Sequence, residues 1–504
     1  MESISLLMHG FSNALQYSNL LYALAGTGLG MLVGVLPGLG PAAAVALLLP
    51  FSFALDTTGA IIMLIAIYYG SLFRGTITAV LLNVPGEATS AITCFDGHPL
   101  AKEGRAGPAL FVAAISSATG GLIATIALVI AAPIVAGFAF KFGPPEQLAL
   151  LVFSLSLLMG LSGASMIKTL IMGIFGLTLG TVGLDPTQAY PRFTFGVPEL
   201  FEGLSFVPIV MGLFGLADIF VQLEHRAKKQ EVLKIGKLMP SKSEWRSVIA
   251  PIARGSGIGF FLGLIPGMMP SISSFIAYSS EKSIAKNPER FGKGAVEGVA
   301  APEAANNSHA QATLIPLLTM GIPTTPTIAL ILGAFLVNGI VPGPLLFRDN
   351  PTLVWTIIAS FFVGNILLLI WNLPLIRMWV SILKIPPSIL YTIIIVLMII
   401  GSYSEYNGIF GVCLLLGAGC FGYWMKKLDF PVAPLILTLV LGPMLEESLI
   451  RTLEMYPSGG VIEIFHRPIV LGMSLLTICF FLFFIYKSFS RRSVSLQQLP
   501  GGSA

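Results

Sequence analysis

GVLPGLGPAAAVALLLP, residues 34–50, decides how this chain is to be read. Leu, Val and Ala suit a helix in hydrocarbon, but Pro37, Gly38, Gly40 and Pro41 interrupt it within five residues. Proline removes a backbone donor and clashes with the preceding turn, and glycine adds backbone freedom. In lipid, each N–H or C=O left unpaired in this way is costly. A break here is tolerable only where protein, water or a ligand satisfies the freed groups.

The rest of the chain supports the membrane setting. Of its 504 residues, 55% are hydrophobic and 10% charged. Mean hydropathy is +0.87. Soluble domains carry about 25% charged residues. Residues 106–140, 353–375 and 469–486 each reach the ~20 apolar residues needed to cross a bilayer. The 54 glycines and 34 prolines also suit membrane helices. The chain is expected to be an all-α polytopic membrane protein with about 10–12 transmembrane segments.

Charge placement suggests topology. No Lys or Arg precedes Arg74, so a cleaved signal peptide is not expected and the N-terminus is expected to face outward. EHRAKKQEVLKIGKLMPSKSEWR, residues 224–246, is the strongest basic segment and is expected to be cytoplasmic. The tail carrying Arg491 and Arg492 reads the same way. Cys94, Cys413, Cys420 and Cys479 lack CxxC spacing, so metal or disulfide chemistry is not indicated.

The opening motif recurs. GMLVGVLPGLGP (30–41) aligns with GFFLGLIPGMMP (259–270), which sets Gly30 on Gly259, Pro37 on Pro266, Gly38 on Gly267 and Pro41 on Pro270. LLNVPGEATSAI (81–92) resembles LTMGIPTTPTIAL (318–330), with Pro85 on Pro323. Further matches follow in order: Gly107-Pro108 with Gly343-Pro344, residues 142–153 with 384–395, Pro198 and Glu202 with Pro443 and Glu447, and PIVMG (208–212) with PIVLG (468–472). Two membrane repeats, 1–222 and 248–490, are therefore expected, with a basic cytoplasmic linker at 223–247 and a cytoplasmic tail at 491–504. Internal repeats with paired helix breaks mark secondary transporters, whose site lies at the repeat interface.

Helix N-termini bind anions, and unwound carbonyls can hold a cation. The candidate substrate or ion site therefore begins with Pro37, Gly38, Gly40 and Pro41, and with Pro266, Gly267, Pro270 and the adjoining Ser271. The second paired break adds Asn83, Pro85, Gly86 and Glu87, and on the other side Thr319, Pro323, Thr324 and Thr325. Glu303 and Asn307, four apart, share a helix face, with Asn306 beside them. Such groups supply oxygens to a hard cation or donors to a carboxylate. Sodium held by carbonyl, Asn and Thr oxygens and a proton carried on Glu87 or Glu303 both stay open. No metal cofactor is expected.

These stretches, with EGVAAPEAANNSHAQATLIPLLTMGIPTTPT (297–327), resemble the large membrane subunit of tripartite tricarboxylate transporters over nearly the whole chain. The resemblance implies a bacterial inner-membrane carrier that imports tricarboxylates or related organic acids on a cation gradient. It also implies a small integral membrane subunit and a periplasmic solute-binding protein as partners. Met268-Met269 stands where the first copy has Leu39-Gly40, so the second glycine-proline motif is less regular. Related ion-coupled carriers suggest inverted repeats, and these are expected here. Basic residues after both PIVMG and PIVLG would instead suit parallel copies.

Other classes fit less well. GASMIKT (163–169) lacks the second glycine of a phosphate loop, which disfavours an ATP-driven pump. An intramembrane enzyme would need a base positioned near Ser165 or Asp185. An ion channel closes more usually around a symmetric oligomeric pore. An enzyme is not expected.

Overall fold

The structure is a computed structural model that describes residues 2–34, 39–139, 142–161, 165–185, 189–224, 233, 235–343, 345–382, 385–406, 408–456 and 460–496. Its regular structure is almost entirely helical. The first elements are α1 (Glu2–Ala14), α2 (Tyr17–Gly34), α3 (Pro41–Ser52), α4 (Thr57–Leu82), α5 (Thr93–Lys102), α6 (Ala106–Ala139), α7 (Pro144–Leu161) and α8 (Met166–Gly180). Next come two short antiparallel strands, β1 (Gly183–Leu184) and β2 (Pro191–Arg192). The following helices are α9 (Phe206–Val210), α10 (Ala217–Glu224), α11 (Lys242–Gly263), α12 (Pro270–Ile284), α13 (Glu297–Ala312), α14 (Leu314–Met320) and α15 (Pro326–Val337). The chain continues as α16 (Leu346–Asp349), α17 (Pro351–Asn372), α18 (Ile376–Ile382), α19 (Pro387–Tyr406), α20 (Ile409–Lys427), α21 (Val432–Met455) and α22 (Pro468–Leu496).

Among the described residues, seven helices are long and apolar enough to cross a membrane, and four more are apolar but shorter. The short ones include α3 and α15, the segments that follow two of the sequence breaks. The chain is thus an all-α polytopic membrane protein with broken helices.

The helices gather into two compact units. One comprises Met1–Phe140 and Ser205–Trp424; the other comprises Lys141–Leu204 and Met425–Ala504. Each unit takes chain from both of the halves that align in the sequence.

In the larger unit, α2 lies against α4 and α11 against α13. Glycine makes both approaches possible. A β-carbon on Gly26 or Gly30 would come within 2.5 or 2.4 Å of the Met63 or Ile67 carbonyl oxygen. On Gly255 or Gly259 it would come within 2.3 or 2.1 Å of the Ala301 or Ala305 carbonyl oxygen. Small residues let membrane helices pack this tightly. The two contacts have the same register: Gly30 aligns with Gly259 by the first motif, and Ile67 with Ala305 by the second.

In the smaller unit, α7 and α8 pack on α21, and α22 packs on α7. The buried Glu146 carboxylate takes two bonds from Arg467, at 2.7 and 2.8 Å. Arg192 grips Glu446 with two nitrogens, at 2.6 and 3.2 Å. One sequence match takes different forms here. Pro198 opens a 3-10 turn, whereas Pro443 lies inside α21. A proline within a long helix is tolerated when the neighbouring chain satisfies the freed carbonyl.

Candidate functional site

Three of the four predicted breaks lie wholly within the described residues and interrupt helices; of the first, only Leu39 to Pro41 are described, and proline starts three of the four helices that follow. Pro41, Pro270 and Pro326 are the first residues of α3, α12 and α15. Proline suits that position because its missing N–H would have had no intrahelical partner. Pro37 and Gly38 lie outside the described residues. Gly40 precedes α3 in extended conformation, with open space where a side chain would point. Neither Gly40 nor Met269 places a side-chain cap on the helix it precedes. In the first turn of α12 the Ile272 N–H is taken by the Met269 carbonyl at 3.0 Å.

The break after α4 begins at Asn83, an exposed residue in the left-handed region with φ 55°. Val84 N–H reaches back to the Thr78 carbonyl at 3.3 Å. The break after α14 begins at Gly321, φ 70°, and Ile322 N–H reaches back to Pro316 at 3.2 Å. Asn83 aligns with Gly321, so one turn closes both helices. Asparagine and glycine are the residues that tolerate this conformation.

In the second half the two breaks come together. Gly267, left-handed at φ 82°, donates its N–H to the Thr324 carbonyl at 2.8 Å. In the first half, Gly86 aligns with Thr324. A β-carbon on Gly86 would sit 2.7 Å from Gly75 Cα and 3.3 Å from the carbonyl oxygen of Gly34, the last residue of α2.

The halves also meet each other. Glu303, on α13, is buried and accepts hydroxyls from Thr76 at 2.7 Å, Thr93 at 2.7 Å and Ser117 at 3.0 Å. Those three donors lie on α4, α5 and α6. Glu87, half-buried in the first-half break, lies beside Glu303 and the Asn306 side chain. Its carboxylate accepts the Thr89 hydroxyl, and its carbonyl accepts Ser90 Oγ at 2.9 Å. The Tyr68 hydroxyl lies next to Thr325, which aligns with Glu87, and also next to Thr313 and Glu87 itself.

Several buried polar atoms in this region lack a hydrogen-bond partner: Tyr68 Oη, Asn306 Oδ1 and Thr324 Oγ1. Buried polar groups are normally paired, so a cluster of unpaired ones calls for an explanation. Tyr68 and Thr324 can donate to a carboxylate; Asn306 Oδ1 can accept from a donor or coordinate a cation. Among the described residues, no group of three or more His, Cys, Asp or Glu could hold a metal ion.

Not every candidate side chain faces this region. Thr319 donates to the Ile315 carbonyl of its own helix at 2.7 Å. Asn307 donates to the Glu303 carbonyl at 3.3 Å. Thr325 Oγ1 caps α15 by accepting the Ile328 N–H at 3.3 Å. Asn83 and Pro85 are exposed, whereas Pro323 is buried; Pro266, Pro270 and Ser271 are half-buried. The candidate set omitted Tyr68, Thr76, Thr93, Ser117 and His309. His309 is fully buried on α13, and its Nδ1 pairs with Ser273 Oγ of α12 at 2.7 Å. An intramembrane hydroxyl or imidazole was a usable signal, but its partner lies too far along the chain to infer from spacing.

The architecture is that of a polytopic membrane protein built around two pairs of broken helices, the form in which membrane-embedded binding sites are made. The chain belongs to the tripartite tricarboxylate transporter TctA family, which it matches over residues 20–437. It is 47% identical over 454 residues to an uncharacterized 52.8 kDa protein in the TAR-I ttuC' 3' region of Agrobacterium vitis, covering 90% of each chain. It is 49% identical over 195 residues to an uncharacterized protein in the TAR-II ttuC' 3' region of the same organism, covering 39% of this chain and 81% of that one. No solved structure matches it.

Proposed function

We propose that this chain is the large membrane subunit of a secondary carrier that imports tricarboxylates or related organic acids on a cation gradient. Its partners are a small integral membrane subunit and a periplasmic solute-binding protein. It works in the bacterial inner membrane, with the basic linker and the C-terminus in the cytoplasm. The halves are repeats of inverted topology, so that each can expose the same site in turn.

The observation that carries this reading is the convergence of the breaks on the unpaired Tyr68, Asn306 and Thr324 atoms in a chain of this family. An organic carboxylate would take the donors, together with the uncapped N-termini of α3 and α12. The coupling ion would be sodium, held by Asn306 and by backbone carbonyls at the breaks, or a proton carried on a carboxylate.

The test is initial uptake of labelled citrate by cells expressing the chain with both partners, with the sodium gradient present or collapsed at constant proton gradient. Uptake that vanishes with sodium identifies sodium coupling. Persisting uptake assigns coupling to protons. Absence of citrate uptake moves the test to a panel of other carboxylates, and no accumulation of any of them overturns the reading.

A further inference from the structure

We propose that Glu303 is a positioning residue: its carboxylate staples together the two ends of the first-half break and so holds the loop that presents Glu87. The functional part of this inference rests on reading that break as part of the transport site.

The geometry is specific. Thr76 lies on α4, before the break at residues 83–92, and Thr93 is the first residue of α5, after it. Both hydroxyls donate to one oxygen, Glu303 Oε1, each at 2.7 Å. A single atom on α13 therefore holds the two sides of the break together. Ser117 of α6 engages the other oxygen at 3.0 Å. Water does not compete, since Thr76, Thr93, Ser117 and Glu303 are 4%, 1%, 1% and 2% exposed.

The staple belongs to one half only. The position aligned with Glu303 is Ile65, an apolar residue buried in α4. The second-half break is closed differently, by the backbone bond from Gly267 to Thr324. Both Glu303 oxygens are engaged by hydroxyls, so its carboxylate acts through α4, α5 and α6 and does not touch the transported species. Glu303 and Glu87 then have different tasks, although each is a buried or half-buried carboxylate beside the other.

A native reporter sits next to the staple. Cys94 follows Thr93 and is half-buried, and burial pushes its thiol up to about 11. Thiolate is the species that reacts, so alkylation of Cys94 is slow while the break stays closed. The experiment measures N-ethylmaleimide modification of Cys94 by peptide mass spectrometry, with the full chain in membranes alongside its partners and the denatured chain as the reference for full reactivity. Glu303→Leu, which removes both acceptor oxygens, is expected to speed Cys94 modification roughly fivefold, the opening factor for losing a typical buried hydrogen bond. Thr76→Val combined with Thr93→Val should do the same, and adding Glu303→Leu to that pair should change little, because all three act through one contact. Thr76→Ser, which keeps the hydroxyl, should behave as wild type. In uptake assays Glu303→Leu should lower the maximal rate and leave the cation dependence unchanged.

Unchanged Cys94 reactivity in Glu303→Leu, or additive effects of the three substitutions, overturns the staple. Loss of cation dependence with Cys94 unmoved would make Glu303 an ion ligand and also overturn it. If Glu303→Leu does not reach the membrane, Thr93→Val alone carries the same expectation. A wild-type chain that accumulates no carboxylate would defeat the transport reading, while the alkylation result would still decide the staple.

Discussion

Asn83 and Gly321 end aligned helices in the same left-handed turn, at φ 55° and 70°. The hydrogen bonds that follow are also in register, Val84 to Thr78 and Ile322 to Pro316. The residue types differ, but both tolerate positive φ, and that is the property this turn requires. Asn83→Gly should therefore be neutral or slightly stabilising. Asn83→Val should lower stability by roughly 1–2 kcal/mol, because a β-branched side chain crowds this conformation and cannot make the local hydrogen bonds that let asparagine adopt it. Gly321→Val should cost more, since Gly321 is also buried. Thermal unfolding of the detergent-solubilised chain measures all three. Equal Tm for Asn83→Val and wild type would remove the conformational argument.

The glycine contacts predict a contrast along one helix. Gly259 faces the Ala305 carbonyl, while a β-carbon on Gly257 would meet nothing within 4 Å. Gly257→Ala should leave Tm unchanged or raise it, because alanine is favoured over glycine in a helix by about 1 kcal/mol. Gly259→Ala should lower Tm, since α11 and α13 must separate to admit the methyl group. Gly30→Ala should behave like Gly259→Ala, because it occupies the aligned contact. A Gly259→Ala chain as stable as Gly257→Ala would show that the two helices are not held at this spacing.

Tyr68 separates a binding role from a packing role. Its hydroxyl is buried and unpaired. Removing an unsatisfied buried hydroxyl is expected to leave stability unchanged or improve it by about 1 kcal/mol. If the hydroxyl contacts the transported carboxylate, Tyr68→Phe should raise the KM for uptake about tenfold, as loss of one hydrogen bond to a charged group does. Wild-type KM in Tyr68→Phe would exclude that hydroxyl from the site.

Topology is tested at the linker. Lys237 is exposed, and its contact with α6 is made by its carbonyl, which faces Gly107. Lys237→Ala should leave uptake within about 20% of wild type, as surface substitutions usually have small effects. In a cysteine-free background, Lys237→Cys should react with a membrane-permeant maleimide and resist an impermeant one added outside intact cells. Reaction with the impermeant reagent would place the linker outside.

Much of this architecture was legible in the sequence because it depends on local chemistry. Long apolar runs specify membrane helices, since unpaired backbone is costly in lipid. Clustered Pro and Gly mark where helices stop, and Pro41, Pro270 and Pro326 do start helices. The collinear motifs also align the Gly30 contact with the Gly259 contact, and the Asn83 turn with the Gly321 turn. The grouping of the candidate side chains was legible only in part. Glu87, Glu303 and Asn306 do come together, but Thr319 and Asn307 turn to carbonyls of their own helices.

The tertiary structure decided the pairings. Thr76 and Glu303 are 227 residues apart, and Ser117 and Glu303 are 186 apart. No periodicity connects such positions, because helical spacing determines only which side chains share a face, not which distant face they meet. Membership of the two units was decided in the same way, with each drawing chain from both halves. Breaks, turns and repeat register follow from backbone chemistry within a few residues, so the sequence by itself determined them. The choice of hydroxyls that surround one carboxylate depends on how whole helices pack, and only the fold settles it.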